Sequence, residues 1–248
     1  MKEKILLLGS KGRLASFILK KHPEVIGYDK DKVDISNKEQ ITNLILKEKP
    51  SLIINCAAIT DIEYCNKNPE ECWKVNTLAV KYLVEAARKV NAKLIHFSSN
   101  YTLKPVNEYG WSKLASEAFA SQEGLVIRTD IYDTKTFIIN QLLNTKENLN
   151  AYNDKFFNPI YMGTLADYIF KLKDKTGILN VVTKEKLSFY EFALKVCEIF
   201  NIDKSRVIST KSQEEKKEIR RPKDLYLEPD IDFSIHDDLQ NFKKDLKK

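Results

Sequence analysis

Strand-length runs of apolar residues return at intervals through the first half of the chain: KILLLG (4–9), EVIGYD (24–29), SLIINCAA (51–58), KLIHFSS (93–99) and GLVIRT (124–129). A strand with one face in water alternates apolar and polar residues. A strand covered on both faces need not, so continuous runs of this kind belong in a sheet with helices on either side. The segments between them carry a 3.6-residue rhythm, as in Leu78, Tyr82, Ala86 and Val90 with Leu83 and Ala87 alongside. Strand and helix alternating in this way predict an α/β fold built on a doubly wound parallel sheet with right-handed crossovers.

Past about residue 150 the rhythm changes. FFNPIYMG carries a proline, TLADYIFKL and SFYEFALKVCEIF read as amphipathic helices, and ILNVV between them reads as a short strand. These segments predict a small α/β C-terminal lobe over residues 151–248, packed on the domain formed by residues 1–150, with some elements free to interleave. No low-complexity linker separates the two. The ending, DLQNFKKDLKK, reads as a solvated, partly frayed helix.

With 248 residues, 43% of them hydrophobic, the chain can bury a substantial core. Its 41 basic and 35 acidic residues are scattered, so the net charge of +6 forms no stripe for nucleic acid and suits an anionic small molecule equally well. No apolar stretch approaches the roughly 20 residues that span a bilayer, and the apolar start of MKEKILLLGS ends at Gly9 after a strand's length. The expectation is a cytoplasmic protein with no membrane partner. Cys56, Cys65, Cys72 and Cys197 form no CxxC pair, and His22, His96 and His236 show no ligand spacing with them. Free thiols and no metal are therefore expected.

GSKGRLA (9–15) follows the first strand and opens a helix, the setting of a dinucleotide-binding turn. Gly9 and Gly12 let the backbone approach a pyrophosphate, Ala15 keeps the helix close to the sheet, and Ser10, Lys11, Arg13 and Leu14 complete the turn around the anion. The fold expected is thus Rossmann-type. Asp29, at the end of the second strand, lies 20 positions beyond Gly9, where a carboxylate accepts from adenosine ribose hydroxyls, and this favours NADH. Lys30, with Lys11, Arg13 and Lys32, could instead meet a 2′-phosphate, so NADPH stays open, as does a plain turn role for Asp29. Asp34 and Ile35 are expected beside the adenine.

The fourth strand ends at Ser98 and Ser99, and NEYGWSKLASE (107–117) begins a helix soon after. Tyr109 and Lys113 are one turn apart and share a face. Spacing alone leaves a helix-surface pair open. Next to a nicotinamide site, the same three residue types suit carbonyl reduction. Hydride addition builds negative charge on oxygen, and a phenol of ordinary pKa about 10 is a better proton donor with an ammonium beside it. A serine hydroxyl can hydrogen-bond the carbonyl as charge develops.

Taken together these segments resemble the extended short-chain dehydrogenase/reductases, and within them the dTDP-4-dehydrorhamnose reductase family. GSKGRLA is similar to that family's cofactor loop, INCAAITDIEYCNKNPEECWKVN (54–76) to its third strand and following helix, HFSSNYTL (96–103) to its serine/threonine strand, and EYGWSKLASE (108–117) to its YGxxKLxGE helix. LVIRTDIY (125–132), NPIYMGTLAD (158–167) and RRPKDLYL (220–227) resemble later family segments. The resemblance implies Tyr109 as acid, Lys113 as its partner and Ser99 as the carbonyl-orienting hydroxyl. It further implies cofactor contacts from Cys56, Ala57, Ala58, Asn76 and Ser98. For the sugar nucleotide it implies Ser99, Asn100, Asp130, Ile131, Arg220 and Arg221. Only nine residues separate Ser99 from Tyr109, fewer than is usual in the family, and Ile131 stands where the family has Trp.

The function expected is NADH- or NADPH-dependent reduction of a 4-keto group on a nucleotide-activated deoxysugar, a step of dTDP-rhamnose biosynthesis. An epimerase using the same Tyr/Lys pair, or a regulatory subunit that only binds the dinucleotide, stays open. The small-molecule substrate is the one partner implied, and a homodimer is left open.

Overall fold

The computed structural model describes residues 3–212 and 219–247. The first unit comprises the residues up to Arg128 together with Ala166–Leu179. It contains β1 (Ile5–Leu8), α1 (Arg13–Lys21), β2 (Ile26–Tyr28), α2 (Lys38–Glu48), β3 (Leu52–Asn55), α3 (Ile62–Lys67), α4 (Pro69–Trp73), α5 (Ala79–Val90), β4 (Lys93–Phe97), α6 (Glu108–Ala120) and β5 (Leu125–Arg128). β1 pairs in parallel with β2 and β3, β3 with β4, and β4 with β5. Every residue of β1 and β3 is buried, as their uninterrupted apolar runs require. Strand β2 lies at the edge and is partly exposed.

The helices begin and end where side chains permit. Asn37 caps α2 by accepting from the Glu39 and Gln40 amides at 3.0 and 3.1 Å, and α2 and α5 end at Lys49 and Asn91 in the left-handed conformation. Ile41 and Ile45 of α2 join Val80, Leu83 and Ala87 of α5 over Leu6, Ile53, Leu94 and Val126 of the sheet. This core holds one face of the sheet. On α5 the expected Leu83, Ala86 and Ala87 are buried and Tyr82 and Val90 pack partly buried against the same core; Ala79, Val80 and Val84 widen the stripe, while Leu78, in a single π-helical turn just before α5, is 42% exposed.

The second unit comprises Thr129–Leu165 and the residues from Asn180 on. Its elements begin with β6 (Ile131–Tyr132), α7 (Phe137–Asn144), β7 (Leu149–Tyr152), β8 (Phe156–Phe157) and β9 (Ile160–Tyr161). α8 (Met162–Tyr168) and β10 (Gly177–Asn180) run across the later two of the three unit boundaries, and β11 (Leu187–Ser188), α9 (Phe189–Phe200), β12 (Val207–Thr210) and α10 (Ile235–Asp245) follow. Among its described residues, three two-stranded sheets and an aromatic core around Tyr132, Tyr161, Phe192 and Phe242 hold it together. Ser188 and Glu191 form a reciprocal cap on α9.

The first unit runs to Arg128 and takes back 166–179, an interleaving that the sequence reading left free. Two expectations need correction. The short strand expected in the C-terminal lobe is β10, which instead lies beside β5 as the outer strand of a six-stranded sheet, order β2-β1-β3-β4-β5-β10. The Gly177 amide donates to Gly124 O at 2.9 Å, and Gly177 itself sits at φ +85°, so the chain turns onto the sheet at a glycine. The terminal helix α10 is packed, because Ile235, Leu239 and Phe242 share one buried face.

Among the described residues, all four cysteines are free thiols, no group of three or more His, Cys, Asp or Glu is gathered as a metal site, and no helix is long and apolar enough to cross a membrane.

Candidate active site

From β1 the chain steps to β2 on one side, and β3, β4 and β5 build on the other, so the winding reverses between β1 and β3. Ligands of open α/β sheets bind beyond the strand carboxyl ends at such a point. A groove of about 240 Å³ lies there, lined by Gly9 and Gly12 after β1, by Asp29, Lys30, Val33, Asp34 and Ile35 after β2, and by Cys56, Ala57, Ala58 and Ile59 after β3, with Glu71 and Val75 alongside.

The turn at its base depends on Gly9. Its φ is +76°, and a Cβ there would lie 2.7 Å from the Ala57 backbone. Gly12 donates to Gly9 O at 2.9 Å and stands at the start of α1, where no side chain caps the helix and no acidic residue occupies the first turn. Those amides and the positive end of the helix dipole suit a pyrophosphate. Ser10 closes the turn by donating its amide to Tyr28 O at 3.0 Å. Lys11 is exposed and paired with Asp31 at 3.0 Å, Arg13 is exposed, and Leu14 is buried in the core, so none of these four side chains lines the groove. Asp29 lines it while also building the turn, accepting from the Lys30 amide at 2.9 Å.

Beyond β4 the ladder continues through the Ser98 amide, which donates to Ile127 O at 2.7 Å. The Ser98 hydroxyl donates to Glu117 Oε1 at 2.5 Å, and Glu117 also accepts from Arg128 Nε and Nη2 at 2.9 and 2.6 Å. Ser98 is thus held inside the fold. Ser99 opens a single 3₁₀ turn, Asn100–Thr102, accepting from the Tyr101 amide at 3.3 Å and donating to Asn100 Oδ1 at 3.2 Å. Asn107 then caps α6 through the Gly110 amide at 2.9 Å. A Cβ at Gly110 would meet Tyr101 O at 3.1 Å and Pro105 Cα at 3.2 Å, so the short loop closes directly on the helix because this position is glycine.

On α6, Tyr109 is 9% and Lys113 2% exposed, which excludes the helix-surface pair. The Tyr109 ring meets Tyr101 edge-on at 5.6 Å and packs with Cys65, Cys72, Ile59 and Ile62. Ile59 therefore touches both the groove and the tyrosine cluster. Lys113 Nζ donates to Phe97 O at 2.6 Å and lies 3.5 Å from His96 Nε2. Burial lowers the Lys113 pKa to about 8, with Glu117 as the chief opposing influence. Burial, and then the Lys113 charge, hold His96 well below its ordinary value.

Asn76, expected at the cofactor, is buried behind Ile59 and supports the groove from beneath. Asn100 is buried beside Ser99. Asp130, Ile131, Arg220 and Arg221 belong to the second unit. Asp130 O accepts from the Ile160 amide at 2.8 Å, Ile131 pairs with Ile160, and both arginines are exposed.

The sequence reading missed Asn55, His96, Ser116, Glu117 and Arg128, which link the strand ends to α6, and Glu71 on the groove wall. The signal for Asn55 and His96 was present: each is a polar residue in an otherwise apolar buried run of its strand, and a buried polar group needs a partner.

The sequence pattern of the RmlD substrate binding domain family matches residues 3–248. The chain is 26% identical over 230 residues to a dTDP-4-dehydrorhamnose reductase of Aggregatibacter actinomycetemcomitans, covering 78% of each protein. Among solved structures it is similar to a dTDP-4-dehydrorhamnose reductase from Clostridium acetobutylicum, with a TM-score of 0.89, 26% identity, and 99% of this chain and 100% of that one covered. A Bacillus anthracis dTDP-4-dehydrorhamnose reductase in complex with NADP gives a TM-score of 0.88 at 24% identity, with the same coverage.

Proposed function

This chain belongs to the RmlD substrate binding domain family, and on that premise we propose that it reduces a 4-keto group on a nucleotide-activated deoxysugar, with NADH or NADPH as reductant and Tyr109 as proton donor. The observation that carries the reading is the burial of Tyr109 and Lys113 one turn apart on α6, with Ser99 at the end of the neighbouring strand and Ile59 joining their cluster to the groove.

The groove fits a dinucleotide. The Gly9 turn lies flush on Ala57, the start of α1 is open to an anion, and Asp29 offers a carboxylate to the adenosine ribose. When bound, the cofactor supplies the hydride. Ser99 orients the carbonyl oxygen and stabilises the charge that develops on it by turning its one proton from Asn100 Oδ1 to that oxygen. Tyr109 gives its hydroxyl proton to that oxygen, and the Lys113 ammonium favours the phenolate left behind. Burial of both side chains keeps water away from the transfer. In the first unit Asn100, buried beside Ser99, is the residue we assign to the sugar nucleotide.

The test is oxidation of NADH and of NADPH, followed by absorbance, with a dTDP-4-keto-6-deoxy sugar, for wild type and Tyr109→Phe in parallel. Wild type is expected to turn over and Tyr109→Phe to lose roughly 10²- to 10⁴-fold in rate while binding cofactor as before. Equal rates in the two proteins would overturn the role of Tyr109. Saturable cofactor binding without oxidation by wild type would favour a dinucleotide-binding subunit.

A further inference from the structure

A buried chain of hydrogen bonds runs from the groove wall to α6 through Asn55, His96 and Ser116, and the direction of each bond follows from its ends. The Ala57 amide donates to Asn55 Oδ1 at 3.1 Å, which turns Asn55 Nδ2 toward His96 Nδ1 at 3.1 Å. An amide nitrogen can only donate, so Nδ1 is the acceptor. At the other end Ser116 Oγ donates its one proton to Lys113 O at 2.6 Å. Ser116 Oγ, 3.0 Å from His96 Nε2, can then only accept from it. Both ends require the same neutral imidazole, with its proton on Nε2.

Lys113 Nζ lies 3.5 Å from that same Nε2. Both atoms carry protons, so no hydrogen bond forms between them, and the ammonium donates to Phe97 O. With the proton on Nδ1 instead, the lone pair on Nε2 would face the ammonium and take up one of its three donors. We propose that Asn55, His96 and Ser116 are positioning residues forming a tautomer lock, which keeps the proton on His96 Nε2 and so leaves the Lys113 donors to the groups that enter the site. The inference rests on the role given to Lys113 above. The titratable groups acting on Lys113 are Glu117 on α6, Cys72 on α4 and Cys56 after β3. A protonated His96 would add a second cation beside Lys113 and lose the Asn55 bond, so the imidazole stays neutral.

The test reads the tautomer directly, by two-bond ¹⁵N–¹H correlation of the imidazoles in the full-length protein, with the His96 signals identified by their loss in His96→Gln. The expected result is a neutral Nε2–H form from about pH 6 to about pH 8. An Nδ1–H form or an imidazolium would overturn the lock. Asn55→Asp keeps an acceptor for the Ala57 amide but presents a carboxylate to Nδ1, so it should move the proton to Nδ1 and lower kcat roughly ten- to hundred-fold. Ser116→Ala should give mixed tautomers and a smaller loss, and Ser116→Thr, which keeps the hydroxyl, should restore both. A moved proton with unchanged kcat would overturn the positioning role. The tautomer is read without turnover, so a wild type showing the Nε2–H form but oxidising neither cofactor supports the lock and overturns the reductase reading.

Discussion

Asn76 closes on both sides of Ile59: its Oδ1 accepts from the Ile59 amide at 2.8 Å and its Nδ2 donates to Ile59 O at 2.9 Å. The same Nδ2 also reaches Ser112 Oγ on α6 at 3.1 Å. One buried amide thus fixes a groove-lining residue to the helix that carries Tyr109 and Lys113. Asn76→Ala leaves the Ile59 peptide without these partners, which costs about 1–3 kcal/mol and frees the groove wall. Urea unfolding should show the loss, and fluorescence titration with NADH should show weaker binding. A variant matching wild type in both measurements would mean that packing alone holds Ile59.

The cost of burying Lys113 sets a pH dependence of stability. Its pKa is lowered to about 8 in the folded chain from an ordinary 10.5, so between these values the unfolded state binds more protons than the folded one. Stability from this group therefore rises with pH across that window, and the penalty is fully present below about pH 8. Unfolding free energies of wild type minus Lys113→Met should climb by on the order of 1–3 kcal/mol from pH 8 to pH 10.5. A flat difference would show that Lys113 is not buried as a cation.

The elements that the sequence made legible are those whose signal is local. Mostly apolar runs marked β1, β3, β4 and β5, because a strand covered on both faces need not alternate apolar and polar residues, and the Gly9 turn was readable because only glycine tolerates its conformation against Ala57. The place of β10 was hidden, since ILNV reads alike in either unit and only pairing beside β5 decides. Tyr109 and Lys113 could be located by spacing, but their burial depends on the nine-residue loop that folds over Gly110, a tertiary fact. Glu71 reached the groove wall only through the packing of α4.

Glu117 is nearly inaccessible, its side chain 3% exposed, and its carboxylate is held in a two-pronged pair by Arg128 and by the Ser98 hydroxyl. Removing one member of a buried pair strands the other charge, so Arg128→Met should cost about 3–5 kcal/mol. Replacing both, Arg128→Met with Glu117→Leu, should recover much of that loss, because no charge is then left buried. Thermal and urea unfolding of the two single variants and the double variant check this. Independent, additive losses would mean that the pair contributes no coupling.

We propose that the charges around the groove favour the cofactor without a 2′-phosphate. Its lining carries the carboxylates of Asp29, Asp34 and Glu71 against one cation, Lys30, and Lys30 itself faces Glu71 at 3.8 Å while nearby Lys11 faces Asp31 at 3.0 Å. Both pairs are exposed and individually weak. Their effect is to place acids next to the cations that a phosphate would need. Asp29 is the acid best placed to accept from the ribose hydroxyls, and a phosphate there would meet its charge. Wild type should therefore bind NADH more tightly than NADPH, and Asp29→Ala should shift the ratio of dissociation constants toward NADPH by roughly tenfold, about 1.4 kcal/mol. Fluorescence titration of both cofactors against both proteins measures that ratio directly. An unchanged ratio would leave Asp29 with only its other visible task, accepting from the Lys30 amide to shape the turn after β2.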